Sequence, residues 1–222
     1  MTRRPRPRWP NWTPCCWGAG PLPRPVLQAA AAAGITVVRS YGMSETAGGC
    51  VYDGVPLDGV RVRVSDGRIA LGGATLAKGY RNPVDPDPFA EPGWFLTDDL
   101  GAVDDDGVLT VFGRADDAIS TGGLTVLPQP VEAALCTHPA VADCAVFGLP
   151  DDRLGQRVVA AIVLRDGRAA PSPDALRAHL SRTLDATAAP REVHVVAALP
   201  RRGIGKVDRA ALVRRFAGGG EQ

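Results

Sequence analysis

The 222-residue sequence has no acidic side chain before Glu45, no CxxC pair, no internal repeat, and no apolar run approaching the ~20 residues needed to span a bilayer. No transmembrane segment is therefore expected. The five cysteines (Cys15, Cys16, Cys50, Cys136 and Cys144) lack zinc-ligand spacing. The nearest approach to a metal cluster is Cys136, His138 and Cys144, and buried thiols beside a loop histidine in a reducing cytoplasm are the simpler reading. Histidine is scarce as well. His179 and His194 have no cysteine or acid partner at nucleophile spacing, so a catalytic dyad or triad has no support. The early lack of acids accompanies four arginines in the first ten residues, against a formal net charge of only +1. The body beyond them is mildly acidic, which argues against a nucleic-acid surface. A soluble, cytoplasmic protein is expected.

The opening "MTRRPRPRWPNWTPCCWGAG" has the arginines of a targeting signal, but prolines at 5, 7, 10 and 14 forbid an amphipathic helix and no apolar core follows. It is expected to be a disordered or atypical leader over 1–17. Next, "LPRPVLQAAAAAG" predicts a short alanine-rich helix stopped by Gly34, and "ITVVR" a buried strand. From about 55 to 113, short alternating runs ("VRVRV", "RIAL", "VLTVF") separated by "SDG", "GG" and "DDDG" predict antiparallel hairpins. The proline-rich "RNPVDPDPFAEPG" is predicted as a loop. Beyond Arg114, helix and strand alternate. "PQPVEAALCTHP" reads as a helix opened by proline, "VADCAVFG", "RVVAAIVL" and "EVHVVAA" as strands, and "KVDRAALVRRF" as a final helix. "SPDALRAHLSRTL" predicts an amphipathic helix with Ser172 as N-cap and Leu176, Leu180 and Leu184 on one face.

Three polar clusters fall in segments predicted as loops, where functional residues concentrate. The first is "YGMSETAGGC" at 41–50, whose hydroxyls and carboxylate at a strand end suit a divalent cation with bound phosphate, or equally a solvated turn. In the second, "GWFLTDDL" and "VFGRADDAISTGG", Asp98 or Asp99 is placed to accept hydrogen bonds from a sugar diol and Arg114 to add a second contact; solvated loop charges fit the same pattern. The third, "LPRRGIGKVDR", carries Lys206 in a glycine-rich turn before a helix, suited to an anionic substrate.

Taken in order, these stretches resemble the adenylate-forming superfamily of acyl-CoA synthetases, luciferases and peptide-synthetase adenylation domains. "YGMSE" is similar to its YG-x-[ST]-E motif, "GRIALGGATLAKGY" to G-[ER]-I…G…GY, and "GWFLTDD" to W-[FY]-x-TGD. "GRADDAISTGGLTVLPQPVE" is similar to GR-x-DD-x-I…G…P-x-x-VE, and "GIGKVDR" to GK-[ILV]-x-R. The resemblance covers roughly residues 18–216. Residues 48–60 and 120–123 look most like the o-succinylbenzoate–CoA ligase subfamily of menaquinone biosynthesis.

The resemblance implies a mixed α/β and α+β fold. A β-rich C-terminal remnant of the large adenylating domain would span 18–113, followed by a hinge at 114–116 and a small α+β C-terminal domain over 117–216. It also implies an acid–CoA ligase whose partners are a small carboxylic acid, ATP with magnesium, and coenzyme A. Carried over by position, Ser44 faces phosphate and Glu45 helps ligate magnesium. Tyr41 and Gly42 belong to the nucleotide site, with Tyr41 near the adenine, while Asp99 holds the ribose hydroxyls with help from Arg114. Lys206 bridges the carboxylate and the α-phosphate. Rotation about Asp116 then exchanges Lys206 for Gly122 and Gly123, which leave room for the coenzyme A arm.

Two departures stand out. Thr97-Asp98-Asp99 replaces Thr-Gly-Asp, and the family's Ser/Thr/Gly-rich phosphate loop is absent upstream of "YGMSE". The sequence therefore reads as the C-terminal half to two-thirds of such a ligase, with little activity of its own and exposed apolar surface over roughly 20–60. Two alternatives stay open: an inactive fragment that self-associates or docks on a full-length homologue, and a piece of an adenylation domain serving a carrier protein.

Overall fold

The computed structural model describes residues 15–17, 24–203 and 205–217. Residues 1–14 of the expected leader lie outside these, but its last three form β1 (Cys15–Trp17), paired in parallel with β2 (Val37–Met43) across helix α1 (Arg24–Ala32). Antiparallel β3 (Gly48–Tyr52) and β4 (Val55–Pro56) complete this sheet, in order β1-β2-β3-β4. The strand predicted over "ITVVR" continues through Tyr41 and Gly42 to Met43. At that point the chain turns through a single 3₁₀ turn, Ser44–Thr46. The buried Thr46 hydroxyl accepts the Met43 N–H (2.9 Å) and reaches the Gly48 carbonyl (2.7 Å), closing the bend from β2 to β3.

The second sheet is an antiparallel meander of β5 (Val60–Ser65), β6 (Arg68–Gly73), β7 (Trp94–Val103) and β8 (Leu109–Arg114). Its first turn is Asp66-Gly67, both at positive φ, the pairing whose twist suits a two-residue hairpin. Ile69, Leu71 and Leu109 are buried against Cys50 and Val51 of the first sheet, with Tyr41, Met43 and Leu76 at the margin. Val26, Ile35, Val55 and Leu57 are exposed, so this part of the chain leaves several large apolar side chains uncovered.

The remaining sheet is built from β9 (Ile119–Thr121), β10 (Leu124–Val126), β11 (Val141–Asp151), β12 (Gly155–Leu164) and β13 (Glu192–Val195). Its order is β10-β9-β12-β11, with β13 added parallel to β12. Helices α2 (Pro128–Leu135) and α3 (Pro173–Leu180) cover one face, where Cys144, Val146, Val158, Ala160 and Ile162 meet Val131, Leu135, Leu176 and Leu180. Helix α4 (Arg209–Ala217) covers the other, with Leu212 against Ala145, Phe147, Val159 and Ala161. Burial on both faces explains the unbroken apolar runs of β11 and β12, where a half-solvated strand would alternate. The last helix begins three residues later than its sequence suggests. Asp208 accepts the Ala211 N–H (2.9 Å) as an N-cap, so Lys206 and Val207 form β15 (Lys206–Val207) against β14 (Arg201–Arg202) instead of a first helical turn.

The cap foreseen on α3 is present: the Ser172 hydroxyl accepts the Ala175 N–H at 3.2 Å. Ser172→Ala is expected to lower unfolding stability by about 1 kcal/mol and Ser172→Gly by only a few tenths. Urea denaturation of both variants checks this, and equal losses would show that the hydroxyl is not the stabilising group.

Candidate functional site

Most of the residues singled out from sequence do not sit in loops. Tyr41 and Gly42 lie in β2, Asp98 and Asp99 within β7, Arg114 closes β8 and Lys206 is on β15; Ser44, Glu45, Asp116, Gly122 and Gly123 occupy turns. The reason is pairing: a carboxylate pair looks like loop chemistry until a neighbouring strand satisfies its backbone. Asp99 is held beside Arg114 by the β7–β8 register, and Arg68 lies opposite Leu100 across β6–β7.

Alternation along β7 separates the two aspartates. Thr97 and Asp99 point inward, and the buried Thr97 hydroxyl donates to the Ile69 carbonyl (2.8 Å) while accepting the Asp99 N–H (3.1 Å). Asp99 Oδ2 accepts the Tyr41 hydroxyl at 2.7 Å, joining residues 58 positions apart. Burial, and then the Asp99 carboxylate, push the Tyr41 phenol far above its ordinary range, so it stays a donor at any working pH. Asp98 points outward between Arg68 (2.8 Å) and Arg114 (3.4 Å). Its backbone does not need a glycine, since the only non-glycine residues at positive φ among the described residues are Ala47, Asp53 and Asp66. Aspartate in place of the family glycine therefore causes no strain and adds two surface ion pairs.

Arg114 is committed to two acids. Its Nε and Nη2 grip Asp116 at 2.7 Å each, and this bidentate contact holds the Asp116 carboxyl below the usual range. The Ala115 N–H donates to the Asp98 carbonyl (2.8 Å), so the 114–116 segment is fastened to the meander by backbone as well as side chain.

Glu45 has a partner that no sequence argument supplied. The Tyr80 hydroxyl donates to Glu45 Oε1 at 2.6 Å, and the Ala77 N–H to the Glu45 carbonyl at 2.8 Å. The hydrogen bond to Glu45 pushes the Tyr80 phenol up to about 12. Tyr80 stands edge-on to Phe89 (5.5 Å), which rests on Phe95 of β7 (4.7 Å), so the proline-rich loop props the ring that holds Glu45. Tyr80 and Thr97 lie inside the quoted "KGY" and "TDD" stretches. Their motif membership was legible, but their role was not. The Ser44 side chain is exposed beside Glu45.

The glycines earn their places locally. A Cβ on Gly42 would fall 2.0 Å from the Gly48 carbonyl oxygen, where β3 bulges against β2. Gly122 and Gly123 have φ of 58° and 81° and form the two-residue turn between β9 and β10. Among the described residues, no hydrogen bond or ion pair links Lys206 to Ser44, Glu45, Asp99 or Arg114. Its hairpin is pinned instead by Arg201 to Asp143 of β11 and by Arg202 to Asp208.

Residues 130–206 match the family described as AMP-binding enzyme C-terminal domain. The chain is 80% identical over 208 residues to a probable 2-succinylbenzoate–CoA ligase of Mycobacterium tuberculosis, a match covering 92% of this chain and 54% of the relative. It is 35% identical to the 2-succinylbenzoate–CoA ligase of Geobacillus kaustophilus, over 93% of this chain and 47% of that protein. Among solved structures, the o-succinylbenzoate CoA synthetase of Bacillus subtilis in complex with its acyl-adenylate intermediate superposes with a TM-score of 0.79 at 30% identity, over 92% of this chain and 46% of that one. ATP-bound MatB of Rhodopseudomonas palustris gives 0.81 at 28% identity, over 91% and 45%. The chain thus spans about half the length of the curated relatives it matches. The ordered motifs, the mixed fold and these relatives agree: residues 130–206 are an AMP-binding enzyme C-terminal domain, and the described chain has the fold of the C-terminal portion of adenylate-forming enzymes.

Proposed function

We propose that this chain is the nucleotide- and lysine-bearing portion of an AMP-forming acid–CoA ligase whose acid is 2-succinylbenzoate. The observation that carries this reading is the 80% identity, across 92% of the chain, to a relative bearing that name. In the first half-reaction a substrate carboxylate oxygen attacks the α-phosphorus of ATP and pyrophosphate leaves. In the second, the thiol of coenzyme A attacks the acyl carbon and AMP leaves. Asp99, presented by β7 and Thr97, accepts from the ribose diol, exchanging the Tyr41 hydroxyl for a sugar hydroxyl or sharing with it. Tyr41 and Gly42 form the wall beside the adenine. Arg114 is released from Asp116 when the 114–116 hinge turns, and Lys206 is withdrawn from the phosphate as Gly122 and Gly123 approach.

Ser44 and Glu45 offer the oxygen donors a hard cation takes. Among the described residues no group of three or more His, Cys, Asp or Glu is arranged to hold a metal, and Ser44 and Glu45 would contribute only part of a magnesium ion's ligands. Such an ion supplies positive charge against the charge building on the transferred phosphate. The hydrogen bond from Tyr80 holds the Glu45 carboxylate, which would help bind such an ion. The domain division is proposed as 18–113 and 117–216. The exposed Val26, Ile35, Val55 and Leu57 are proposed to be covered by the phosphate-loop half, a second copy or a homologue.

The 222-residue polypeptide by itself is expected to show no acid-dependent ATP–pyrophosphate exchange. A fusion with the portion of the Mycobacterium tuberculosis relative that this chain does not match is expected to restore exchange with 2-succinylbenzoate. Robust exchange by the chain alone would show that the phosphate loop is dispensable, and a fusion active only on another acid would overturn the substrate.

A further inference from the structure

Two thiols in the C-terminal unit meet for no reason that the ligase reading supplies. Cys136 caps the C-terminal end of α2, its N–H donating to the Glu132 carbonyl at 2.9 Å. The chain then turns through Thr137–Ala140 and enters β11. Cys144 on that strand brings its sulfur to 3.4 Å from the Cys136 sulfur. Both are free thiols; Cys144 is buried at 5% exposure and Cys136 is partly exposed. His138 is the third side chain of this neighbourhood. His138 Nδ1 accepts the Ala140 N–H (3.2 Å) and its ring stands edge-on to His179.

We propose that Cys136 and Cys144 form a peroxide-oxidisable dithiol, in which Cys136 is attacked first and Cys144 resolves the product to a disulfide. The two sulfurs already lie 3.4 Å apart and need approach by only about 1.4 Å to reach disulfide bonding distance. The order follows from access and from the hydrogen bond between them. Either thiol can donate across the pair, and the Cys144 sulfur also lies 3.4 Å from the Glu132 carbonyl; with the proton kept on the buried Cys144, the Cys136 thiol is held below its ordinary range and the Cys144 thiol well above it. Asp143 and Glu132 oppose ionisation of Cys136 and Arg165 favours it. The Cys136 thiolate attacks one oxygen of a hydroperoxide. The O–O bond breaks, the sulfur becomes a sulfenic acid, and the other oxygen leaves as alcohol or water after taking a proton. Cys144 sulfur then attacks the Cys136 sulfur, the S–O bond breaks, and the hydroxyl departs as water with the Cys144 proton. The two sulfurs together lose two electrons and the peroxide gains two.

The consequence is protection. A sulfenic acid with a thiol in contact is diverted to a reducible disulfide before it reaches the irreversible sulfinic state. Cys50, fully buried between the two N-terminal sheets with burial raising its thiol, is the internal control.

The test is peroxide treatment of the purified 222-residue chain, alkylation of remaining thiols, and peptide mapping. The expected product is a Cys136–Cys144 linkage, about 2 Da lighter than the dithiol and reversed by dithiothreitol, with Cys50 still reduced. In Cys144→Ser, Cys136 is expected to yield a dimedone adduct and a several-fold rise in sulfinic acid. In Cys136→Ser, Cys144 is expected to stay reduced, and this second variant keeps the test open if Cys144→Ser does not fold. Oxidation of Cys136 with Cys144 still alkylatable would overturn the proposal. So would linkage of either to Cys15, Cys16 or Cys50, or inertness of both where glutathione is oxidised.

Discussion

Alanine at position 209 is expected to destabilise the chain by about 3–5 kcal/mol, the cost of leaving a buried carboxylate without its cation. Arg209 opens α4 and reaches three parts of the chain at once: Glu132 of α2 (2.7 Å), Asp117 in the turn between β8 and β9 (3.2 Å), and the Val146 carbonyl of β11 (3.1 Å). Glu132 is 9% exposed, and its carboxylate also accepts the Val146 N–H at 2.8 Å. Burial nevertheless keeps its carboxyl above the usual range, with Arg209 and the Val146 N–H pulling it down. An acid whose folded-state pKa is raised adds stability when protonated, and that contribution disappears as the pH climbs through the raised value. Removing Arg209 raises that value further. The penalty of Arg209→Ala should therefore be smallest in acid and grow toward neutrality. Urea unfolding of both proteins across that pH range checks it, and a penalty that does not vary with pH would mean the loss is one of packing. Adding Glu132→Gln to Arg209→Ala should recover part of the stability, because the uncompensated charge is gone.

The second large effect concerns chemistry and rests on the proposed ligase reading. In the active fusion, Lys206→Ala is expected to slow adenylate formation by about 10²–10³-fold, the loss typical of one charge-stabilising donor. Thioester formation from supplied acyl-adenylate should change little, since the hinge motion takes Lys206 away before that step. The side chain is exposed, so thermal stability should be unchanged. Lys206→Arg should not restore the rate, because a planar fork is a poor substitute for a point charge on a flexible stem. Single-turnover assays of each half-reaction separate these outcomes; equal losses in both would make Lys206 a structural residue of its hairpin.

The alternating and unbroken apolar runs, the Asp-Gly turns and the Ser172 cap were readable from the sequence because each depends on residues within a few positions of one another. The motif order was readable for the same reason. The final helix was placed three residues early because a strand pairing at Lys206–Val207 leaves no local trace. Loops were assigned to Tyr41, Asp99 and Arg114 for a similar reason: acids and glycines near strand ends look like turns until the neighbouring strand is known.

Local sequence thus determined the elements and the two-sided core of β11 and β12. Tertiary structure alone decided their partners: Tyr41 on Asp99, Tyr80 on Glu45, Arg209 across Glu132 and Asp117, and Cys136 on Cys144. Three of these contacts join residues brought together by sheet register and helix packing across 35 or more positions. The fourth spans eight, but it depends on how α2 settles on β11. A hydrogen bond needs its atoms placed to a few tenths of an ångström, and only the packed core supplies that precision.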